Sequence, residues 1–136
     1  MKTIADFDYA SILHYEDEQI VEVHWKKGDK NITLEEYQSV IKFALNFKKD
    51  YPEAVKYYLS DIREQNILSP NYRKWFQEIA LPEALDLKLE AACVIFDGNI
   101  FKKYYLNNIM NSTKKFGMPF KFFNTEIEAF DWFKSL

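Results

Sequence analysis

A carboxylate and a guanidinium follow one apolar segment of the chain and are its first candidates for binding chemistry. Asp61 and Arg63 come directly after residues 55–60, which have the composition of a strand. Charged side chains just past a strand can face a cleft and anchor a polar ligand. The same pair also fits a salt bridge or a turn cap at the strand end, so both interpretations stay open. Ser60 is a candidate phosphorylation site, because such an edge favours anions.

Three more side chains would stand near the same edge of a sheet if the strands run parallel. Asp97 and Asn99 follow the apolar run at 89–96, and Trp75 lies on an intervening helix. The carboxyl ends of parallel strands share one edge, where ligands of open α/β sheets bind. Trp75 is either a wall of such a site or part of the core. We name this set the candidate rim; it comprises Asp61, Arg63, Trp75, Asp97 and Asn99.

Signatures of familiar catalytic and cofactor sites are missing from the sequence. Its three glycines are isolated, so neither a phosphate-binding loop nor a dinucleotide fingerprint is present. His14 and His24 lie on neighbouring predicted strands, but no third ligand follows at the spacing of a metal site. The single cysteine, Cys93, lies inside an apolar run and reads as a small buried hydrophobe. The sequence therefore predicts a protein that is not an enzyme and holds no metal or cofactor.

Composition narrows the class of protein and of partner. The 136 residues suffice for a single domain, 1–136, with a core of its own. Eighteen basic residues face 21 acidic ones without a long basic block, which argues against nucleic acid as a partner. No apolar stretch approaches the roughly 18 residues of a membrane span, and we expect a cytoplasmic protein. Aromatic residues reach 18%, either as core bulk or as a surface for a ligand or partner.

Hydrophobic periodicity predicts an α/β domain with a mixed sheet of four to five strands. An N-terminal hairpin is followed by strand–helix units, with the helices packed on the sheet. Thr33 and Glu36 form a capping box that starts the first helix after a loop at 27–31. The second helix starts at Ser69 and stops before Pro82. The predicted strands are 9–15, 19–26, 55–60, 89–96 and 119–123, and the helices start near 34, 70, 100 and 126.

The order of these elements resembles the SpoIIAA-like proteins of the STAS superfamily, whose sheet is also compared with the CRAL-TRIO lipid-binding fold. The resemblance covers nearly the whole chain from about residue 9. The Asp-Ser-x-Gly turn at which proteins of that family are phosphorylated has no counterpart here, because the corresponding residues are Ser60-Asp61-Ile62-Arg63. The matching stretches are Trp25 to Gly28, Thr33 to Tyr37, Tyr58 to Arg63, Tyr72 to Phe76 with Pro82, Phe120 to Asn124 and Ala129 to Phe133.

The resemblance implies a non-catalytic regulatory module that binds a protein partner or a second copy of itself. An alternative function follows from the candidate rim, which would bind a small ligand or a lipid at the carboxyl ends of the strands. In that alternative, Asp61 and Arg63 are the polar anchors and Trp75 is the wall. An enzyme of another type ranks last, because it would need several ionisable groups to converge in one cleft.

Overall fold

The computed structural model describes residues 1–26 and 32–136, so the loop predicted at 27–31 lies outside the described residues. Within those ranges the chain forms one six-stranded sheet whose strands are ordered as they occur in the sequence. Among the first three strands each neighbouring pair is antiparallel, and the last four strands run parallel. The strands are β1 (Lys2–Asp6), β2 (Ala10–Tyr15), β3 (Ile20–Trp25), β4 (Tyr57–Asp61), β5 (Ala91–Ile95) and β6 (Phe120–Phe123).

The predicted mixed α/β sheet with its N-terminal hairpin is confirmed, with one additional strand. β1 was not predicted, because its five residues at the edge of the sheet are mostly exposed and show no clear alternation. The prediction that the apolar run at 89–96 is a central strand is also confirmed. Every residue of β5 is buried, as expected for a strand that is covered on both faces.

The helices begin at the capping signals seen in the sequence, and one of them extends further than predicted. Thr33 and Glu36 form the expected capping box. The second helix continues past Pro82 through a π-helical turn, because that proline falls in the first turn of a new helical segment, where its missing N–H is tolerated. The helices are α1 (Leu34–Asp50), α2 (Pro70–Trp75), the π-helical segment (Phe76–Ala80), α3 (Leu81–Asp86), α4 (Ile100–Lys115) and α5 (Glu126–Lys134).

Helices cover both faces of the sheet and divide the core in two. One face, which we call the three-helix face, packs against α1, the stretch from α2 to α3, and α4, and involves β2 to β6. On the other face, Ala129 and Phe133 of α5 pack against β3, β4 and β5. Because successive side chains of a strand alternate, Ser60 points to the three-helix face and Asp61 to the α5 face. No described helix is both long enough and apolar enough to span a bilayer.

Candidate functional site

A cavity of about 190 Å³ lies at the carboxyl ends of the parallel strands, on the three-helix face. Its floor is formed by β4 and β5, and its walls by α1, the stretch from α2 to the π-helical segment, and α4. Three side chains that line it, Ile67, Phe101 and Tyr104, are more than half exposed, so the cavity opens to solvent there. The cavity therefore reaches the carboxyl ends of β4 and β5, but none of the five candidate-rim residues is among the described residues that line it.

Among the described residues, eight aromatic side chains line this cavity, beside aliphatic and polar ones. The Tyr37 ring is buried and stacks on Trp25, with 5.2 Å between ring centroids. Burial raises the pKa of Tyr58 to about 12, and burial also raises the pKa values of Tyr37 and Tyr105 well above the ordinary value. The three phenols therefore stay neutral near pH 7 and present hydroxyl groups rather than phenolates.

Two residues that line the cavity carry a buried hydrogen-bond donor with no partner in the part of the chain that the structure describes. Arg73 Nε and Gln65 Nε2 lack an acceptor among the described residues, and both residues line the cavity. The Arg73 guanidinium carbon lies 5.7 Å from the centroid of the Tyr105 ring, in a cation–π contact. An orphaned buried donor costs about 1–3 kcal/mol, so an acceptor placed beside these donors would stabilise the site.

The charge of the cavity lining is entirely positive. Arg73 and Lys102 line it, and no Asp, Glu or His does so among the described residues. This contrasts with the chain as a whole, whose net charge is −3. The cavity thus combines an apolar aromatic interior with cationic and hydrogen-bond-donating groups, a combination that suits an organic anion.

Asp61 and Arg63 of the candidate rim are brought together, but on the opposite face of the sheet from the cavity. Arg63 donates to both carboxylate oxygens of Asp61, over 3.0 Å from Nε and 2.8 Å from Nη2. Burial alone would raise the pKa of Asp61, but the hydrogen bonds from Arg63 outweigh it and lower that pKa. Of the interpretations that the sequence leaves open for Asp61 and Arg63, the geometry is that of a salt bridge.

Asp97 and Asn99 serve the start of α4. The Asn99 side chain accepts from the backbone N–H groups of Phe101 and Lys102, which makes it the N-cap of the helix. Asp97 accepts a hydrogen bond from the backbone N–H of Asn99, and it forms an ion pair with the Lys102 ammonium at 3.3 Å. Neither Asp97 nor Asn99 lines the cavity among the described residues.

Trp75 and Ser60 are the remaining residues that the sequence singles out. Trp75 is half-buried, and it packs edge-on against the Tyr37 ring at 6.0 Å and against the core on the three-helix face. Ser60 is 6% exposed and lines the cavity floor, so its hydroxyl lies inside the fold. Phosphorylation of Ser60 stays a prediction.

The residues that give the cavity its chemistry were missed by sequence reasoning. Arg73 precedes Phe76 by three residues, which places both on one side of a helical turn. A cation on an apolar helix stripe is a usable signal for a binding site. Tyr105 and Gln65 carry no comparable signal, because they reach the cavity through the packing of α4 and the 62–69 loop.

Comparison of the chain with protein-family models, with curated proteins and with solved structures found no match. The resemblance to STAS proteins accordingly stays a prediction, and the function has to be argued from the geometry of the site.

Proposed function

We propose that the protein is a binding domain for a small aromatic carboxylate, which occupies the cavity between β4, β5, α1, α2 and α4. The observation that carries this proposal is a pair of buried donors, Arg73 Nε and Gln65 Nε2, for which the described residues provide no acceptor. Both require an acceptor, and a carboxylate supplies two oxygens with several lone pairs. The proposal keeps the small-ligand alternative predicted from the sequence, but it assigns the ligand to the cavity and not to the candidate rim.

The size and walls of the cavity favour a ligand with a single ring. An apolar cavity of about 150 Å³ holds one benzene molecule, and this one measures about 190 Å³. Tyr37, Tyr58 and Phe76 offer ring faces and edges to an aromatic guest. A lipid with long acyl chains does not fit this volume, so the lipid version of the hypothesis is less well supported.

The polar groups of the cavity suit binding rather than catalysis. General acid–base chemistry needs a group that titrates near neutral pH, and no carboxylate or histidine lines the cavity among the described residues. The tyrosine pKa values are raised by burial, away from neutrality. We therefore infer a non-catalytic protein that senses, stores or carries its ligand.

An interaction module, the first function predicted from the sequence, stays a second proposal. Large apolar side chains are exposed at the cavity mouth, where Phe101 is 66% and Tyr104 67% exposed. Such a patch suits a partner or a second copy as well as ligand entry. Light scattering coupled to size exclusion tests the homodimer version, and a mass of 16.3 kDa at all concentrations would contradict it.

We expect benzoate or phenylacetate to bind the protein, and Arg73→Met to weaken that binding at least tenfold. A hydrogen bond to a charged group contributes about 1.5–3 kcal/mol, and each 1.4 kcal/mol is a factor of ten in affinity. The measurement is an NMR or calorimetric titration with each carboxylate, beside its neutral amide as a matched ligand. The amides should bind more weakly than the acids.

Lys74→Met is the matched control for the Arg73 variant. It removes one positive charge from the next residue of the same helix, but Lys74 is exposed and does not line the cavity. Its carboxylate affinity should equal that of the wild type. If both variants lost the same carboxylate affinity, the loss would reflect the net charge of the protein and not a contact with Arg73. If no single-ring carboxylate bound at millimolar concentration, the proposal would be overturned.

A further inference from the structure

A second cluster of chemical groups lies on the α5 face of the sheet, opposite the cavity. β3 and β4 are parallel neighbours, and their register places His24 beside Asp61. Glu22 precedes His24 by two residues and therefore shares its face of the strand. His24 Nδ1 lies 3.2 Å from Asp61 Oδ2 and 3.9 Å from Glu22 Oε2. One ligand atom from each of the three residues lies within 4.8 Å of the other two.

Each carboxylate of the cluster is oriented by a donor outside it. The Tyr15 hydroxyl donates to Glu22 Oε1 over 3.0 Å, which leaves Oε2 as the oxygen nearer to His24. Arg63 holds Asp61, and the Asp61 Oδ2 atom that accepts from Arg63 retains a second lone pair towards His24. Hydrogen bonds of this kind fix metal-binding carboxylates in place in established sites.

Negative charge exceeds positive charge at this cluster. Glu22 and Asp61 are 4% and 3% exposed, and Glu126 and Glu64 approach from α5 and from the loop after β4. Arg63 is the one permanently charged cation that the described contacts bring to these four carboxyl groups. Buried carboxylates are stable when a cation neutralises them, so the cluster lacks positive charge.

We propose that Glu22, His24 and Asp61 form a binding site for a divalent transition-metal cation such as Zn²⁺. Imidazole nitrogen and carboxylate oxygen are ligands that Zn²⁺ takes at about 2.0–2.2 Å. Three such ligands leave a coordination position for water, and the His24 side chain, 36% exposed, lies on the path from solvent. With Nδ1 on the metal, the opposite ring nitrogen faces Glu64 Oε2 at 3.8 Å, as an outer partner for the imidazole.

No accessible thiolate of the chain competes for the metal, so zinc binding would report on the Glu22, His24 and Asp61 site. Cys93 is the one cysteine of the chain, and burial raises the pKa of its thiol to about 12. The site also shares no side chain with the cavity lining, so zinc binding and carboxylate binding can be measured separately. The failure of one proposal leaves the other in place.

Equilibrium dialysis of tag-free, chelator-stripped protein against Zn²⁺, followed by metal analysis, tests the site. We expect one Zn²⁺ per chain in the wild type. His24→Gln and Glu22→Gln should each lower the affinity at least about a hundredfold, because outer-shell changes alone cost 10–100-fold. Glu22→Gln keeps the shape of the side chain and an acceptor for Tyr15, so it separates loss of a ligand from loss of the fold.

His14→Gln is the matched control, since His14 is the other histidine of the chain and lies on the adjacent strand β2. Its Nε2 is 2.9 Å from the carbonyl oxygen of Ala54, away from the cluster. This variant should bind zinc as the wild type does. Less than one bound Zn²⁺ in the wild type, or equal affinity in the wild type, His24→Gln and Glu22→Gln proteins, would overturn the proposal.

Discussion

Replacing Glu22 by glutamine is expected to stabilise the metal-free protein at pH 8 by about 3 kcal/mol. Burial raises the pKa of Glu22 from 4.5 to about 7; the Glu126 and Asp61 charges raise it too, while the Tyr15 hydrogen bond and His24 lower it. One pKa unit corresponds to about 1.4 kcal/mol, which gives this magnitude. Glutamine keeps the volume of the side chain and cannot ionise.

The pH window follows from the direction of the shift. Because the folded protein holds the Glu22 proton more tightly than the unfolded chain does, this contribution to stability is fully present below pH 4.5. It is lost as the pH rises through 7. At pH 4.5 the wild type and Glu22→Gln should therefore differ by less than about 0.5 kcal/mol. Urea unfolding at pH 4.5 and pH 8, both with EDTA, measures the two differences.

Glu90→Gln provides the comparison, because Glu90 is an exposed carboxylate just before β5. Exposed substitutions of this kind usually change the free energy of unfolding by less than about 0.5 kcal/mol, so no pH-dependent gain is expected. If Glu22→Gln proved less stable than the wild type at pH 8, the ionised carboxylate would be making favourable contacts. The excess of negative charge at the cluster would then be contradicted.

The regular elements were predictable where local signals were strong and consistent. The Thr33–Glu36 capping box fixed the start of α1, and the unbroken apolar run of β5 required a strand covered on both faces. Where the local signal was weak or misleading, the prediction failed. β1 has no amphipathic pattern, and Pro82 looked like a stop although it occupies the first turn of α3.

The residues that line the cavity were not predictable from local sequence patterns. Parallel strands imply a shared edge, and the cavity extends from the middle of the sheet to that edge without including the candidate rim. Because side chains alternate along β4, Ser60 and Asp61 point to opposite faces of the sheet. Their adjacency in the sequence was the reason for assigning both to one edge. The pairing of His24 with Asp61 depends on the register between two strands 37 residues apart, which no local pattern specifies.

Lys102, which lines the cavity, holds the chain just past the end of β4. Its side chain is buried, and its Nζ donates to the carbonyl oxygen of Ile62 over 2.8 Å. Ile62 lies where β4 passes into the 62–69 loop, and its own N–H donates to the carbonyl of Ile95 at the end of β5. The ion pair with Asp97 adds little, because that carboxylate is 42% exposed. The stabilising contact is thus the hydrogen bond that holds the first residue of the loop.

Lys102→Met should lower the free energy of unfolding by about 2 kcal/mol, since the variant leaves the Ile62 carbonyl without its charged donor in a buried position. Lys103→Met removes the same charge from the next, exposed residue and should stay within about 0.5 kcal/mol of the wild type in the same urea titrations. Benzoate affinity should fall less in Lys102→Met than in Arg73→Met, because the Lys102 ammonium is already engaged, whereas Arg73 Nε has no acceptor among the described residues. If the Lys102→Met protein proved as stable as Lys103→Met, the prediction would be wrong. The 62–69 loop would then be held by its apolar contacts, and water would have to donate to the Ile62 carbonyl in place of Lys102.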